Sequence, residues 1–195
     1  MRKMINRALV LIAVALCLTS CFRKEVQGTM FKIEVTSKNV ESDPLTHCTS
    51  DLVAYAFNVG KGQKWKVASW EDAVDMRITN VDRPSEVLEG PNVIGTYDPE
   101  AEYQICLDLK AKYTALVVVD LTNKLYAYRD YETPLNLSET LTQLHLYAYS
   151  KSGSTNGWTF VNPFPDESRE PLVPVEDEEE TTEEESEEET EDENI

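Results

Sequence analysis

Apolar residues recur at every second position in several stretches of this 195-residue chain, and this spacing constrains its fold more than any other feature. A period of two places alternate side chains on opposite faces of a β-strand, whereas a helix needs a period near 3.6. The clearest stretches are Phe31–Val35 and Tyr103–Leu109. The same alternation predicts half-buried strands at Val53–Val59, Leu144–Tyr149 and Trp158–Asn162.

One further stretch, Ala115–Val119, is continuously apolar and rich in β-branched residues. Such a run is expected of a central strand that is covered on both faces. The sequence Asp120-Leu-Thr-Asn123 follows it and is typical of a tight turn, and Leu125–Tyr128 comes next. We therefore expect the two apolar segments to pair as a β-hairpin.

A single short helix is expected to begin at Ser69, whose hydroxyl can cap the backbone N–H of Asp72. About eight short strands separated by turns, with only one helix, are typical of an all-β protein. We predict an antiparallel β-sandwich with one short helix.

The first twenty residues have the features of a targeting segment. Arg2, Lys3 and Arg7 supply positive charge before the apolar run from Ala8 to Leu18. That run of about eleven residues is too short to span a bilayer and is typical of a signal peptide. It ends in Leu18-Thr-Ser-Cys21, which resembles the bacterial lipobox, in which the cysteine thiol takes a diacylglycerol. We expect palmitate-type acylation at Cys21.

This interpretation divides the chain into four segments: a lipoprotein signal peptide at 1–20, a lipidated tether at 21–29, a β-sandwich domain at 30–165 and an acidic tail at 166–195. The expected location is the cell envelope, attached to a membrane through the lipid. Phe22, the second residue of the expected mature chain, is compatible with the outer membrane. The sequence leaves open whether the domain lies on the surface or on the periplasmic face.

Charge is distributed unevenly along the chain. The formal net charge is −18, and residues 166–195 contain 17 acidic residues against one basic residue, Arg169. Such a segment cannot bury enough apolar surface to offset its conformational entropy, so we expect it to be disordered. The domain has no basic stripe in its sequence, which argues against nucleic acid as a partner.

Two cysteines, Cys48 and Cys106, remain in the predicted domain once Cys17 leaves with the signal peptide and Cys21 is acylated. A bacterial envelope is often oxidising enough for such a pair to form a disulfide. Their spacing in the sequence does not fix the distance between their Cα atoms. A disulfide and a pair of buried thiols are therefore both open.

Three tryptophans lie in or beside predicted turns, where recognition loops of a sandwich cluster. They are Trp65, Trp70 and Trp158. They are interpreted either as a ligand platform that stacks on sugar rings or as core residues. We expect at least one of them to be exposed, with Trp158 the first candidate because the Gly-rich segment 152–157 precedes it.

No motif in the chain indicates catalysis. The two histidines, His47 and His145, have no metal-ligand spacing, and neither a nucleophile elbow nor a phosphate-binding glycine loop occurs. We therefore expect no enzymatic activity, no metal and no cofactor.

The lipobox together with the segment from Ala115 to Arg129 is similar to small Bacteroidetes lipoproteins. That resemblance implies an Ig-like or transthyretin-like sandwich and carries no site residues. Two functions remain open: a non-catalytic binding module for a glycan, host or envelope partner, and an assembly component such as a fimbrial-type anchor that pairs through an edge strand.

Overall fold

The computed structural model describes residues 28–38, 44–98, 103–147 and 152–165. Within these ranges the chain forms thirteen strands and one helix. Their bounds are β1 (Thr29–Lys38), β2 (Thr46–His47), β3 (Leu52–Asn58), β4 (Trp65–Lys66), α1 (Trp70–Val74), β5 (Arg77–Asn80), β6 (Val87–Glu89), β7 (Val93–Asp98), β8 (Gln104–Leu109), β9 (Tyr113–Asp120), β10 (Leu125–Glu132), β11 (Glu139–Tyr147), β12 (Gly153–Thr155) and β13 (Trp158–Val161). No helix in the described ranges is long and apolar enough to cross a membrane.

Most strands belong to one curled sheet, in the order β11-β1-β8-β7-β3-β9-β10-β13-β12, and β2 adds a short pairing to β1. Neighbouring strands run antiparallel, as expected, except β1 and β11. These two run parallel from Met30 opposite Glu139 to Lys38 opposite Tyr147. The expectation of a purely antiparallel sheet is wrong at this pair, because β11, which is far from β1 in the sequence, lies alongside it in the same direction.

The predicted strands are present, and their alternating residues build the main core. Phe31, Ile33 and Val35 of β1 are fully buried, whereas the residues between them are only partly buried. Strands from both halves of the curled sheet contribute to this core, which includes Leu107 of β8 and Val118 of β9. The curl therefore folds the sheet over on its own apolar face.

A second core lies on the opposite face of β3, β9 and β10. There Tyr55 and Val117 pack against Trp65 and Ile78 from a separate small sheet, β4-β5-β6. β9 is thus covered on both faces, as its continuous apolar sequence predicts. All buried residues of the two cores lie between Phe31 and Phe160.

The predicted helix is α1, a part of this covering layer. Ser69 is its N-cap, and its hydroxyl accepts a hydrogen bond from the Asp72 N–H at 3.1 Å. Tyr55 donates its phenol to the Ala73 carbonyl at 3.0 Å, which fixes the short helix to β3.

The predicted hairpin is formed by β9 and β10, which pair from Asp120 opposite Leu125 to Tyr113 opposite Glu132. This hairpin defines two ends of the molecule. We call the end near Tyr113 the tether end; it includes Gly28 and the turn 110–112. We call the end near Asp120 the tail end. Val161, the last residue of β13, pairs with Tyr126 close to this end, so the chain leaves the sheet here.

Candidate functional site

Trp158, the first candidate for an exposed ligand platform, is fully buried in the main core. That expectation is wrong for a structural reason. The loop before it is the tight turn of the β12–β13 hairpin, so Trp158 already pairs with Thr155 inside a strand. Its alternation with Thr159 places Trp158 and Phe160 on the inward face.

The other two tryptophans do not lie near Trp158 in the main core. Trp65 is 4% exposed and packs in the second core, on the other side of the sheet. Trp70 is partly exposed, and its ring lies 6.4 Å from that of Tyr126 and 6.3 Å from that of Phe164. The three indoles therefore form no common platform, and Trp70 alone offers accessible surface.

The two cysteines are free thiols that occupy different environments. Cys48 is buried in the main core, whereas Cys106 is exposed on the outer face of β8, opposite Lys32 of β1. The disulfide is not formed, and the alternative of two buried thiols holds for Cys48 only. Burial, and secondarily the charge of Asp120, raise the pKa of the Cys48 thiol, which keeps it protonated and a poor nucleophile. The lipidation residue, Cys21, lies outside the described residues.

Neither histidine was expected to bind metal. In the structure, both ring nitrogens of His145 lie within hydrogen-bond distance of neighbouring side chains. Its Nδ1 lies 2.6 Å from the Thr36 hydroxyl, and its Nε2 lies 3.0 Å from the Asn156 amide nitrogen. His47 stacks on Tyr103 at 3.9 Å between ring centroids. Among the residues that the structure describes, no three His, Cys, Asp or Glu side chains gather as a metal site would require.

A concave surface lies at the tether end, and we call it the end cleft. It consists of two adjoining hollows of about 310 and 600 Å³ that share Glu132. The lining comes from the loop that follows β3, from the start of β9 with the residue before it, and from the end of β10 with the loop after it: residues 59, 60, 62–64, 112–114 and 130–136.

Local hydrogen bonds hold the walls of the end cleft in place. The side chain of Gln63 accepts from the Gly60 N–H at 2.8 Å, and the Gln63 N–H donates to the Gly60 carbonyl at 3.2 Å, which closes the loop on itself. The Val59 N–H donates to the Tyr113 carbonyl at 3.0 Å, and the Thr133 N–H donates to the Lys112 carbonyl at 2.7 Å. The walls are thus connected through the backbone, so a ligand would meet a preformed surface.

Charges of both signs border the end cleft. The Lys112 ammonium lies 3.3 Å from the Glu132 carboxylate, which raises the pKa of Lys112 and keeps it charged. Desolvation raises the pKa of Asp130, although the Trp65 N–H, 3.3 Å away, and the charge of Lys64 partly oppose the shift. The cleft therefore offers strong acceptors and strong donors a few ångströms apart.

Two more features complete the end cleft. The partly exposed ring of Tyr113 belongs to its lining, and Lys112 Nζ lies 5.6 Å from the centre of that ring. Thr133 also lines the cleft and is 2% exposed, yet its hydroxyl has no hydrogen-bond partner in the described structure. A buried hydroxyl without a partner costs free energy, so Thr133 is a polar residue that the fold holds beneath the cleft at some cost in stability.

Sequence reasoning missed the end cleft because its residues carry no motif. One signal was present. The period-two pattern of β10 continues past Tyr128 into Asp130 and Glu132, which puts two carboxylates on the face that carries tyrosines earlier in the strand.

Comparison of the chain with family models, with curated proteins and with solved structures finds no match.

Proposed function

We propose that this protein is a non-catalytic binding module of the cell envelope, anchored to the outer membrane through an acylated Cys21, and that its ligand binds in the end cleft. The lipobox supports the anchor, and Phe22 is compatible with an outer-membrane location. The observation that carries the binding proposal is the end cleft itself, a preformed hollow in which acceptors, donors and an aromatic ring converge.

The ligand class that fits this lining best is a saccharide. A sugar ring presents many hydroxyl groups, each a donor and an acceptor, together with a weakly polar face. Carboxylates at Asp130 and Glu132 can accept from hydroxyls, and Lys112 can donate to them. The Tyr113 ring provides a surface for stacking.

The fold that accompanies this proposal is a β-sandwich of Ig-like or transthyretin-like type, in a small lipoprotein similar to those of Bacteroidetes. Its support is the main core, to which strands of both halves of the curled sheet contribute. Such sandwiches commonly present recognition surfaces at their ends.

The test is a titration of the unacylated domain with oligosaccharides from bacterial and host surfaces. For a saccharide that binds, Tyr113→Ala and Glu132→Gln are each expected to weaken binding about tenfold or more, because each removes a stacking face or a charged acceptor. Both variants should melt near the parent temperature. Trp70→Ala is the matched aromatic control and should leave binding unchanged.

The proposal is wrong if no saccharide binds the domain, or if Trp70→Ala abolishes binding while Tyr113→Ala preserves it. A separate test addresses the anchor. Cys21→Ala should leave the chain unprocessed or move it into the soluble fraction; a variant that retains the parent acyl mass would exclude acylation at this residue.

Assembly through an edge strand is the second candidate, and one observation favours it. β11 is nine residues long and, among the described strands, pairs with β1 alone. A long edge strand can accept a strand from another chain. A stable complex that forms with the cleft variants but is lost in Leu141→Lys, a substitution at an exposed residue of β11, would favour assembly.

A further inference from the structure

The two edge strands of the curled sheet, β11 and β12, are joined by side chains. They stand at opposite ends of the strand order and, among the described strands, share no backbone pairing. Arg129 of β10 donates to the Thr142 hydroxyl at 2.9 Å and to the Asn156 carbonyl at 3.3 Å. The Asn156 amide nitrogen lies 3.0 Å from His145 Nε2. We call these four residues the edge latch, because they connect β11 to the turn between β12 and β13.

The edge latch is supported from both sides. His145 Nδ1 lies 2.6 Å from the Thr36 hydroxyl, which connects the latch to β1. Asn156 and Gly157 both have positive φ, 51° and 80°, as a tight two-residue hairpin turn requires. A Cβ atom on Gly157 would lie 3.3 Å from Arg129 Cζ, so this turn packs closely against the guanidinium.

The position of the edge latch limits how much of β11 another chain can reach. The latch contacts fall at Thr142 and His145, whereas Glu139 and Leu141 precede them and are exposed. A free edge strand is a template for pairing with another chain, and native proteins cover such edges. The latch places the β12–β13 turn beside the second half of β11, which a full-length partner strand would need.

We infer that the edge latch is an autoinhibitory contact, which prevents β11 from pairing antiparallel with β11 of a second copy of this chain. The inference rests on the second candidate function, assembly through an edge strand. It adds that the edge is closed in the monomer and that the latch must open before two copies can pair along the whole strand.

The charges along β11 support a second copy as the partner. In an antiparallel pair centred on Gln143, Glu139 of each copy lies opposite Tyr147 of the other. The Lys38 ammonium lies 5.1 Å from the centre of the Tyr147 ring. Glu139 contacts Lys32 of its own copy but remains 53% exposed. Each Glu139 carboxylate would therefore meet a lysine of the other copy, and no like charges would stand opposite each other.

The test measures the oligomeric state of the unacylated chain 22–195, which contains both cores, by sedimentation velocity at several concentrations. The variant Asn156→Gly/Thr142→Val lacks two of the three latch hydrogen bonds, while glycine keeps the positive φ of the turn. The open fraction of the protein therefore increases, and the Kd of the dimer should fall about tenfold or more below that of the parent. Asn156→Gly alone should show a smaller change in the same direction.

Thr140→Val is the matched control, because it makes the same change on the same strand at a hydroxyl that bonds no described residue. Its dimer Kd should equal that of the parent. Adding Glu139→Lys to the latch variant should weaken the dimer, and adding Lys38→Glu as well should restore it, because the two charges are then exchanged.

The inference is overturned if the latch variant dimerises no more strongly than the parent, or if its dimer is indifferent to Glu139→Lys. A complex with another protein that Leu141→Lys disrupts would, in the first case, leave edge assembly standing without the latch. None of the latch residues lines the end cleft, so the latch variant should bind saccharides as the parent does. Absence of saccharide binding in both would contradict the cleft proposal alone.

Discussion

The carboxyl group of Asp120 is fully buried where β9 turns into β10. It accepts hydrogen bonds from the Asn123 N–H at 2.8 Å and from the Asn123 amide at 3.0 Å. The same amide donates to the Ser50 hydroxyl at 2.6 Å, which connects the turn to the segment before β3. Asp120 and Asn123, which predict a turn from the sequence, thus also stabilise that turn through their hydrogen bonds.

Burial raises the pKa of Asp120, and the hydrogen bonds from Asn123 only partly offset this. A raised pKa means that the folded state binds the proton more tightly than the unfolded state. The stabilisation from protonation is therefore complete below the usual aspartate pKa of about 4 and is lost as pH rises through the folded-state pKa.

We accordingly expect the stability of the parent, relative to Asp120→Asn, to increase as pH falls from neutral to below about 4. Urea unfolding of both proteins across this range measures the difference. Asp51→Asn, at an exposed carboxyl near the same turn, controls for the lost charge. A pH-independent difference between the parent and Asp120→Asn would show that this carboxyl does not titrate differently on folding.

Trp158 supports the fold from the centre of the main core. Trp158→Ala should lower the free energy of unfolding by about 3–5 kcal/mol, because it removes a large buried side chain and leaves a cavity. Trp70→Ala should cost less, since that ring is partly exposed. Denaturant unfolding of both variants measures the difference, and equal losses would contradict the burial of Trp158.

At the scale of elements, β7 joins the two halves of the curled sheet. Its residues Val93–Thr96 pair with β3, and Tyr97 and Asp98 pair with β8. Gly95 lies beside the change of partner, where a Cβ atom would stand 2.5 Å from the Cys106 carbonyl oxygen and 2.8 Å from the Leu107 side chain. Only glycine permits this approach of two backbones.

Gly95→Ala is therefore expected to destabilise the domain by about 1–3 kcal/mol or more, since the backbone of β8 must move to admit a methyl group. Thermal and denaturant unfolding measure the loss. Thr96→Ala, at the next and exposed residue, should have a small effect. A Gly95→Ala protein as stable as the parent would show that the strands separate there without cost.

Long strands with a clear period could be predicted from sequence, and short or non-local elements could not. β1 and β8 follow from their alternating apolar residues, and the Asp120–Asn123 turn predicts the β9–β10 hairpin. By contrast, β4 and β6 have two and three residues, too few for a period to show. The parallel pairing of β1 with β11 depends on residues more than one hundred positions apart.

At the scale of the whole molecule, the end cleft shows the same limit. Its walls come from three separate stretches of sequence, and only the sheet topology brings Lys112, Asp130 and the loop after β3 together. The tryptophans misled the sequence interpretation because proximity to a turn does not determine exposure. Period-two alternation placed Trp158 inward, and that signal was the stronger one.

The acidic tail lies outside the described residues, and its composition supports a prediction about the whole chain. A protein that ends at Val175 should melt at the same temperature as one that continues to Ile195 in moderate salt, because the removed segment has almost no apolar side chain to pack. Calorimetry of the two proteins tests this. A large drop in melting temperature would mean that the tail packs on the domain.

The position of β1 also bears on how tightly the end cleft must bind. Because β1 starts at the same end as the cleft, a chain acylated at Cys21 would confine the cleft to a thin layer above the bilayer. A ligand attached to that same membrane would then meet the cleft at an effective concentration in the millimolar range. A weak intrinsic affinity would then be enough for such a ligand to occupy the cleft, whereas the same saccharide free in solution would remain mostly unbound.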